Sequence, residues 1–387
     1  MSTVGIIAEF NPLHNGHKYL IDCAKSEGKR VFCVISGNFV QRGDTAVISK
    51  FQRTRQALLN GVDLVCELPC PWSMSTAQNF AYGAVSQLNA LGIDMLYFGS
   101  ECGDATLLER AADLLSSDEY ENKLKKKVKG GQTFASLRQQ VLYEMDCELG
   151  KLLDNPNDSL AIEYIISAKR INPKIGFYAV KRVGAMHNDS TADDGYSTAT
   201  LLREKLREKD TDYIRKFVPL KAADVLLQSD LSDIRNIETA VLARLRTMSI
   251  GDFKKLPDLS EGLENLIYSS VRKANSLEEL YDMIKSKRYT LARIRRLILS
   301  AFIGIDNSFF KKEPPYVRIL GFSDSMLGDL PNPPKKPIVT KVSQIRLLSD
   351  FSKKVFETEC RATDLYSLTF ENKKECGAEL TTPIIKV

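Results

Sequence analysis

Short apolar runs alternate with longer amphipathic stretches over the first part of the chain. Val4-Gly-Ile-Ile-Ala8, Arg30-Val-Phe-Cys-Val-Ile35, Val62-Asp-Leu-Val-Cys-Glu-Leu68 and Met95-Leu-Tyr-Phe98 read as buried strands, with Pro69 closing the third. Between them, His17 to Lys25, Phe51 to Leu59 and Ala77 to Leu91 place apolar residues at helical spacing. Strands alternating with helices predict a parallel sheet with right-handed crossovers. The fold class expected is therefore α/β, a doubly wound, Rossmann-like nucleotide-binding domain. Residues 105 to 170 read as mainly helical, and Phe177-Tyr-Ala-Val-Lys-Arg-Val183 returns as a strand. A polar loop from Asn188 to Tyr196 then leads to a helix from about Ala199, and this first domain is expected to end near 210.

From 211 to about 305 the pattern is helical. In KRYTLARIRRLILSAF, Leu291, Ile294, Ile298 and Ala301 share one side, and Arg288, Arg295 and Arg296 lie around the other. From about 314 the chain turns Pro-rich (Pro314-Pro315, Pro331, Pro333-Pro334, Pro337), with strand-like pieces at Tyr316–Phe322 and Ile338–Val342. Residues 211–387 thus read as a mainly helical second domain with a small α/β tail.

Composition narrows the class. A length of 387 residues at 43% hydrophobic supports two or three cores. No run approaches the roughly 18–20 apolar residues of a membrane span, and no secretory signal pattern opens the chain, so a cytoplasmic protein is expected. A net charge of +5 is compatible with a nucleic-acid partner without requiring one. The eight cysteines (Cys23, Cys33, Cys66, Cys70, Cys102, Cys147, Cys360 and Cys376) form no paired C-x-x-C array and read as buried or free thiols. No four-ligand zinc set can be assembled from them. Lys123, Lys125, Lys126, Lys127 and Lys129, before Gly130-Gly131, read as a solvated helix face.

The candidate chemistry starts at His14-Asn-Gly-His17. These residues follow the first strand and open the first helix. Free N–H groups and the positive end of the helix dipole favour an anion there, phosphate above all. Imidazole N–H groups can donate to phosphate oxygens, and Gly16 lets a ligand approach the backbone. Two other readings stay open at this point: a metal shared with His187, and no special role.

Four residues of the H-x-G-H type look like the HIGH motif of the nucleotidyltransferase superfamily, which includes class I aminoacyl-tRNA synthetases and adenylyltransferases of cofactor synthesis. The longer context says more. Gly5-Ile-Ile-Ala-Glu-Phe-Asn-Pro-Leu-His-Asn-Gly-His17 is followed by Ser36-Gly-Asn-Phe-Val-Gln-Arg-Gly43, Ser49-Lys50, Gly61-Val-Asp-Leu64, Glu67-Leu-Pro69 and Phe98-Gly-Ser-Glu101. Pro156-Asn-Asp158, Arg182 and Arg288-Tyr-Thr290 continue the likeness. Over nearly its whole length the chain resembles the bacterial tRNA(Met) cytidine acetate ligase family.

That resemblance implies ATP-dependent activation of acetate as acetyl-adenylate, then acetylation of N4 of the wobble cytidine in the anticodon of elongator tRNA(Met). It implies His14 and His17 as catalytic residues that stabilise charge on the phosphates. It implies ATP contacts from Ile7, Ala8, Glu9, Phe10, Asn11, Gly16 and Leu20, from Gly99 and Ser100, and from Asn157 and Arg182. In Thr198-Ala-Thr-Leu-Leu-Arg203, which resembles the second phosphate-binding element of the superfamily, it implies Thr200 and Arg203. Thr198 stands where a serine is usual and Asp158 where asparagine is expected. Gln41, Arg42, Lys50, Arg53 and Arg55 are expected near the target nucleotide or tRNA backbone, and Arg288, Arg293, Arg295 and Arg296 along the anticodon arm. Magnesium is expected with ATP; Glu9 and Glu101 are candidates to hold it, and no metal ligand is assigned. No residue is assigned to acetate, and no protein partner is implied. The alternatives are a small-molecule adenylyltransferase of cofactor synthesis, for which the chain is long, and a non-catalytic RNA-binding protein.

Overall fold

The computed structural model describes residues 2–127, 134–182, 195–326 and 335–387. The expectations for Lys129, Gly130-Gly131, Val183, His187, the loop from Asn188, Pro331 and Pro333-Pro334 lie outside them.

The apolar runs form strands because a parallel sheet is covered on both faces. β1 (Thr3–Ala8) and β2 (Arg30–Ser36) pair in parallel, from Thr3 opposite Arg30 to Ala8 opposite Ile35. A small antiparallel hairpin follows, β3 (Phe39–Val40) and β4 (Asp44–Thr45). β5 (Leu64–Leu68) flanks β2, β6 (Met95–Ser100) flanks the other side of β1, and β7 (Gly176–Lys181) flanks β6. Three pieces from the end of the chain extend the sheet: β8 (Val317–Phe322), β9 (Ile338–Val339) and β10 (Ile385–Lys386). The order is β10-β8-β5-β2-β1-β6-β7, with β9 also on β8. Every pair in this sheet is parallel except β5 with β8, so the sheet is mixed at that edge.

The chain builds outward from β1 to β5, then crosses back to place β6 on the opposite side of β1. An open α/β sheet takes its ligand at such a switch, beyond the carboxyl ends of the strands. Here that point lies beyond Ala8 and Ser100.

One face of the sheet packs on the helices Asn15–Ser26 and Lys50–Leu59 through Leu20, Ile21, Ala57 and Leu58. The other packs on Ala77–Ala90 and Pro156–Ile171 through Phe80, Ala84, Ala161 and Ile165. Both cores continue past residue 210. Phe217, Ala222 and Leu226 join the first, and Val241, Phe253, Ile267 and Ile298 join the second. Gln56 Nε2 donates to Ala222 O at 2.8 Å across the expected boundary. The segments on either side of 210 therefore share their cores and their sheet.

Beside its strand-like pieces the tail carries an 18-residue helix, Asp350–Ser367, capped by Ser349. Helix Asp118–Lys127 pairs Lys123 with Glu119 at 2.8 Å and Lys125 with Glu121 at 3.0 Å, an ion-paired solvated face. All eight cysteines are free thiols, and Cys33, Cys66 and Cys70 are buried. Among the described residues no helix is long and apolar enough to cross a membrane, and no group of three or more His, Cys, Asp or Glu is placed to hold a metal ion.

Candidate active site

A cavity of about 550 Å³ opens at the switch point. Its floor is the loop between β1 and the first helix. Phe10 stands there at φ +49°, a left-handed conformation unusual for a side chain of that size, and the Asn11–Pro12 peptide is cis. The loop is tied down from below. Arg53 is fully buried and donates to Glu9 O at 2.6 Å, Ser36 O at 3.0 Å, Ile48 O at 3.2 Å and Gly37 O. Asn11 Oδ1 accepts from Val47 N at 2.8 Å, and Asn11 O accepts from Arg203 Nη1 at 2.8 Å.

His14 is the N-cap of the helix Asn15–Ser26. Its Nδ1 accepts from Gly16 N at 3.1 Å, and His17 Nδ1 accepts from His14 N at 3.3 Å. The rings lie 3.8 Å apart, tilted by 30°, and Phe10 meets His17 edge-on at 5.1 Å. A nitrogen that accepts from a backbone N–H carries no proton, so each neutral ring holds its hydrogen on Nε2. Burial, then the charge of Arg182, drives His14 down to about 3; burial, His14 and Arg182 drive His17 well below its ordinary value. Both rings are thus neutral Nε2–H donors near neutral pH. Gly16 is required by the first ring: a Cβ there would sit 3.1 Å from His14 Cε1 and 3.2 Å from Nδ1.

The far wall comes from β6, β7 and the helix Pro156–Ile171. Gly99, Asn157, Lys181 and Arg182 line the cavity. Arg182 N donates to Ser100 O at 2.9 Å, which extends the β6–β7 ladder to the rim. Ser100 is not at the surface of the cavity. It is fully buried and donates to Asp158, whose carboxylate also accepts from Glu101 N at 2.9 Å and Asn155 Nδ2 at 2.9 Å. Glu101 returns the bond, accepting from Asn157 Nδ2 at 2.6 Å and Asp158 N at 2.9 Å. The pair locks the end of β6 to the helix N-terminus. Asp158 works here as an acceptor of several donors, which its carboxylate serves better than an amide. Glu101, a candidate for magnesium, is committed to this cap.

The roof is the helix Ala199–Arg207, with Thr198 as N-cap, its Oγ1 accepting from Leu201 N at 3.2 Å. Thr200 and Arg203 line the cavity, with Arg203 Nη2 on Thr200 Oγ1 at 3.2 Å. Ile7, Ala8, Glu9, Asn11 and Leu20 also line it.

Among the residues expected to face RNA, Gln41, Arg42 and Arg295 line the cavity, and Arg55 and Arg288 are exposed away from it. Arg296 donates to Gln41 O at 3.3 Å and sits 3.6 Å from Asp258; Arg293 donates to Asp258 O. Lys50 and Arg53 are placed otherwise than expected. Both are 0% exposed, and their charges are consumed inside the protein: Arg53 by four carbonyls, Lys50 by Glu67 at 2.5 Å and Glu379 at 2.6 Å. No face of either is left for RNA. Asp44, Tyr164, Lys181, Tyr196 and Ser197 also line the cavity and were not anticipated. The one local signal was the turn residue Gly43, which marks a hairpin and puts its neighbours at the rim.

The model of the HIGH Nucleotidyl Transferase family matches residues 1–379. The tRNA(Met) cytidine acetate ligase of Thermoanaerobacter sp. (strain X514) is 38% identical over 408 aligned positions, covering all of both chains. That of Caldanaerobacter subterraneus subsp. tengcongensis is 36% identical, also over the full length of both. The crystal structure of Thermotoga maritima TmcAL in its apo form superposes with a TM-score of 0.94 at 33% identity, covering both chains completely. The same protein bound with alpha-thio ATP superposes at 0.92 and 32% identity. With sequence, fold and full-length coverage in agreement, the chain belongs to the HIGH nucleotidyltransferases and, within them, to the tRNA(Met) cytidine acetate ligase family.

Proposed function

We propose that this protein uses ATP and acetate to acetylate N4 of the wobble cytidine of elongator tRNA(Met), in the cytoplasm. One observation carries the catalytic part: two imidazoles held neutral, each with its proton on Nε2, at a helix N-terminus inside the switch-point cavity. Acetate attacks the α-phosphorus in line and pyrophosphate leaves. Charge grows on the phosphate oxygens, and fixed neutral donors stabilise it with no reorganisation. Arg182 on the far wall and Arg203 on the roof add fixed positive charge. Asn157, held by Glu101, and Gly99 complete the nucleotide cradle. A magnesium ion would be held chiefly by the triphosphate oxygens and would offset their charge. The alpha-thio ATP on the Thermotoga maritima relative supports ATP as the nucleotide.

The acceptor reading rests on the relatives and on the basic rim. Arg42 and Arg295 stand at the cavity mouth, and exposed Arg288 leads into the helix Leu291–Ile303, so residues 211–387 are assigned to the anticodon arm. A single-stranded loop base can enter such a mouth while phosphates rest on the arginines. The test is incubation with ATP, radiolabelled acetate and tRNA, with His14→Asn and His17→Asn beside the wild type. Label that digests to acetylcytidine, reduced about 100- to 1,000-fold in each variant, is the expected result. Acetate-dependent pyrophosphate release with no labelled RNA would overturn the acceptor. Variants as active as the wild type would overturn the role of the imidazoles.

A further inference from the structure

The transfer step has a requirement that the adenylation step lacks. When N4 of cytidine attacks the carbonyl carbon of acetyl-adenylate, the N–C bond forms and the C–O bond to phosphate breaks. The electron pair of that bond leaves on the AMP oxygen, and one N4 proton must go elsewhere. The exocyclic amine is a weak nucleophile because its lone pair is delocalised into the ring, so a base that takes the proton as the bond forms accelerates the step.

The imidazoles are unsuited to that task. Their Nδ1 lone pairs are engaged by Gly16 N and His14 N, and their Nε2 atoms carry the hydrogens. Among the described residues, the carboxylates lining the cavity are Glu9 and Asp44. Glu9 Oε1 accepts from Gln41 N at 2.8 Å and Ser36 Oγ at 3.2 Å, so that oxygen is committed to holding the loop in place. Asp44 accepts one hydrogen bond among the described residues, from Thr45 N to Oδ1 at 2.8 Å.

We propose that Asp44 is the general base of acetyl transfer, taking the N4 proton of the target cytidine. The inference rests on the acyl-transfer function proposed above. Its place in the fold fits the task. Asp44 sits on the β3–β4 hairpin, where the nucleotide cavity meets the helix Leu291–Ile303. Gly43, at φ +73°, presses the hairpin onto that helix so closely that a Cβ would lie 2.5 Å from Arg296 N. The carboxylate is therefore rigidly held at the boundary between the adenylate side and the RNA side. Burial pushes its carboxyl up, which makes it a better proton acceptor, while Thr45 N–H, Arg295, Arg203 and Arg207 oppose that shift. Arg42 on its own hairpin and Tyr281 of the second segment complete the charged and titratable surroundings.

The experiment separates the two half-reactions in Asp44→Asn. Acetate-dependent exchange of labelled pyrophosphate into ATP reads adenylation. Single-turnover transfer from preformed acetyl-adenylate to a tRNA(Met) transcript reads the acyl step. Exchange within about threefold of wild type and transfer reduced about 100-fold or more are expected. The wild-type transfer rate should rise with pH to a plateau, the variant should lose that rise, and Asp44→Glu should recover part of the rate. Transfer within threefold of wild type overturns the proposal. Equal loss of both half-reactions overturns it as well, because Asp44 would then serve ATP. A wild type that exchanges pyrophosphate but transfers nothing sinks the acceptor reading, and this inference with it.

Discussion

Replacing Lys50 by methionine tests the buried charge cluster that closes the core beneath the active-site loop. Lys50 is 0% exposed, with Nζ 2.5 Å from Glu67, 2.6 Å from Glu379 and 3.9 Å from Glu359. Arg318 joins at 2.6 Å from Glu379 and 3.9 Å from Glu67. Burial, followed by repulsion from Glu67, raises the Glu359 carboxyl well above its ordinary value. Lys50 and Arg318 then balance Glu67 and Glu379. Methionine matches the aliphatic stem and removes one charge, leaving one carboxylate without compensation. At 2.6 Å and an effective dielectric of about 20, each contact is worth about 6 kcal/mol before desolvation. The net loss on removing one partner of a buried pair is about 3–5 kcal/mol, a large share of the about 5–15 kcal/mol typical of a folded protein. Urea unfolding would be followed by the fluorescence of the one tryptophan, Trp72, which is 1% exposed, two residues from the Cys70 N–H that donates to Glu359. The sign of the pH dependence is a second check. In the wild type, Lys50 and Arg318 outweigh desolvation to hold the Glu379 carboxyl below its ordinary value, so that stabilisation is present above the ordinary carboxylate range and lost as pH falls through it. In the variant the unpaired carboxyl is raised instead, and protonating it relieves the buried charge. The deficit of Lys50→Met should therefore be largest near pH 7 and shrink as the pH is lowered toward 5. A variant within about 1 kcal/mol of wild type, defective only in tRNA binding, would refute the reasoning and return Lys50 to the RNA-facing surface.

Two further outcomes follow from the histidine pair. Gly16→Ala should displace the His14 ring, because the new Cβ would meet its Cε1 at 3.1 Å; acetate-dependent pyrophosphate exchange should fall about 10-fold or more in a protein that still unfolds cooperatively. Because His14 drops from its ordinary 6.5 to about 3 on folding, the unfolded chain binds the extra proton between those values, and stability is lost as pH falls below 6.5. That one group should lower stability by about 2 kcal/mol between pH 7 and pH 5, a slope that His14→Asn removes; parallel slopes in wild type and variant would mean that the ring is exposed and free to protonate.

The parts legible in the sequence are those whose physics is local. The strands β1, β2, β5 and β6 are apolar on both faces, which only a covered parallel sheet accommodates, so their runs announce themselves. His14 and His17 are legible because the helix they cap begins within the same few residues. Lys50 and Arg53 were misplaced because a basic residue on a helix carries no local sign of whether it faces water or the core; what decides is the partner, and Glu379 lies more than three hundred positions away in sequence. β10 was missed because two residues, Ile385 and Lys386, have no periodicity to read, and they are a strand only because β8 is there to receive them. The hidden contacts are also those that build the site. Lys50 draws residues 359 and 379 onto β5, three residues later Arg53 clamps Glu9, Ser36 and Gly37, and that clamp sets the backbone from which Phe10 and His14 rise. The positions of the paired imidazoles thus depend on residues as distant as Glu379, although the motif that reveals them is complete by residue 17.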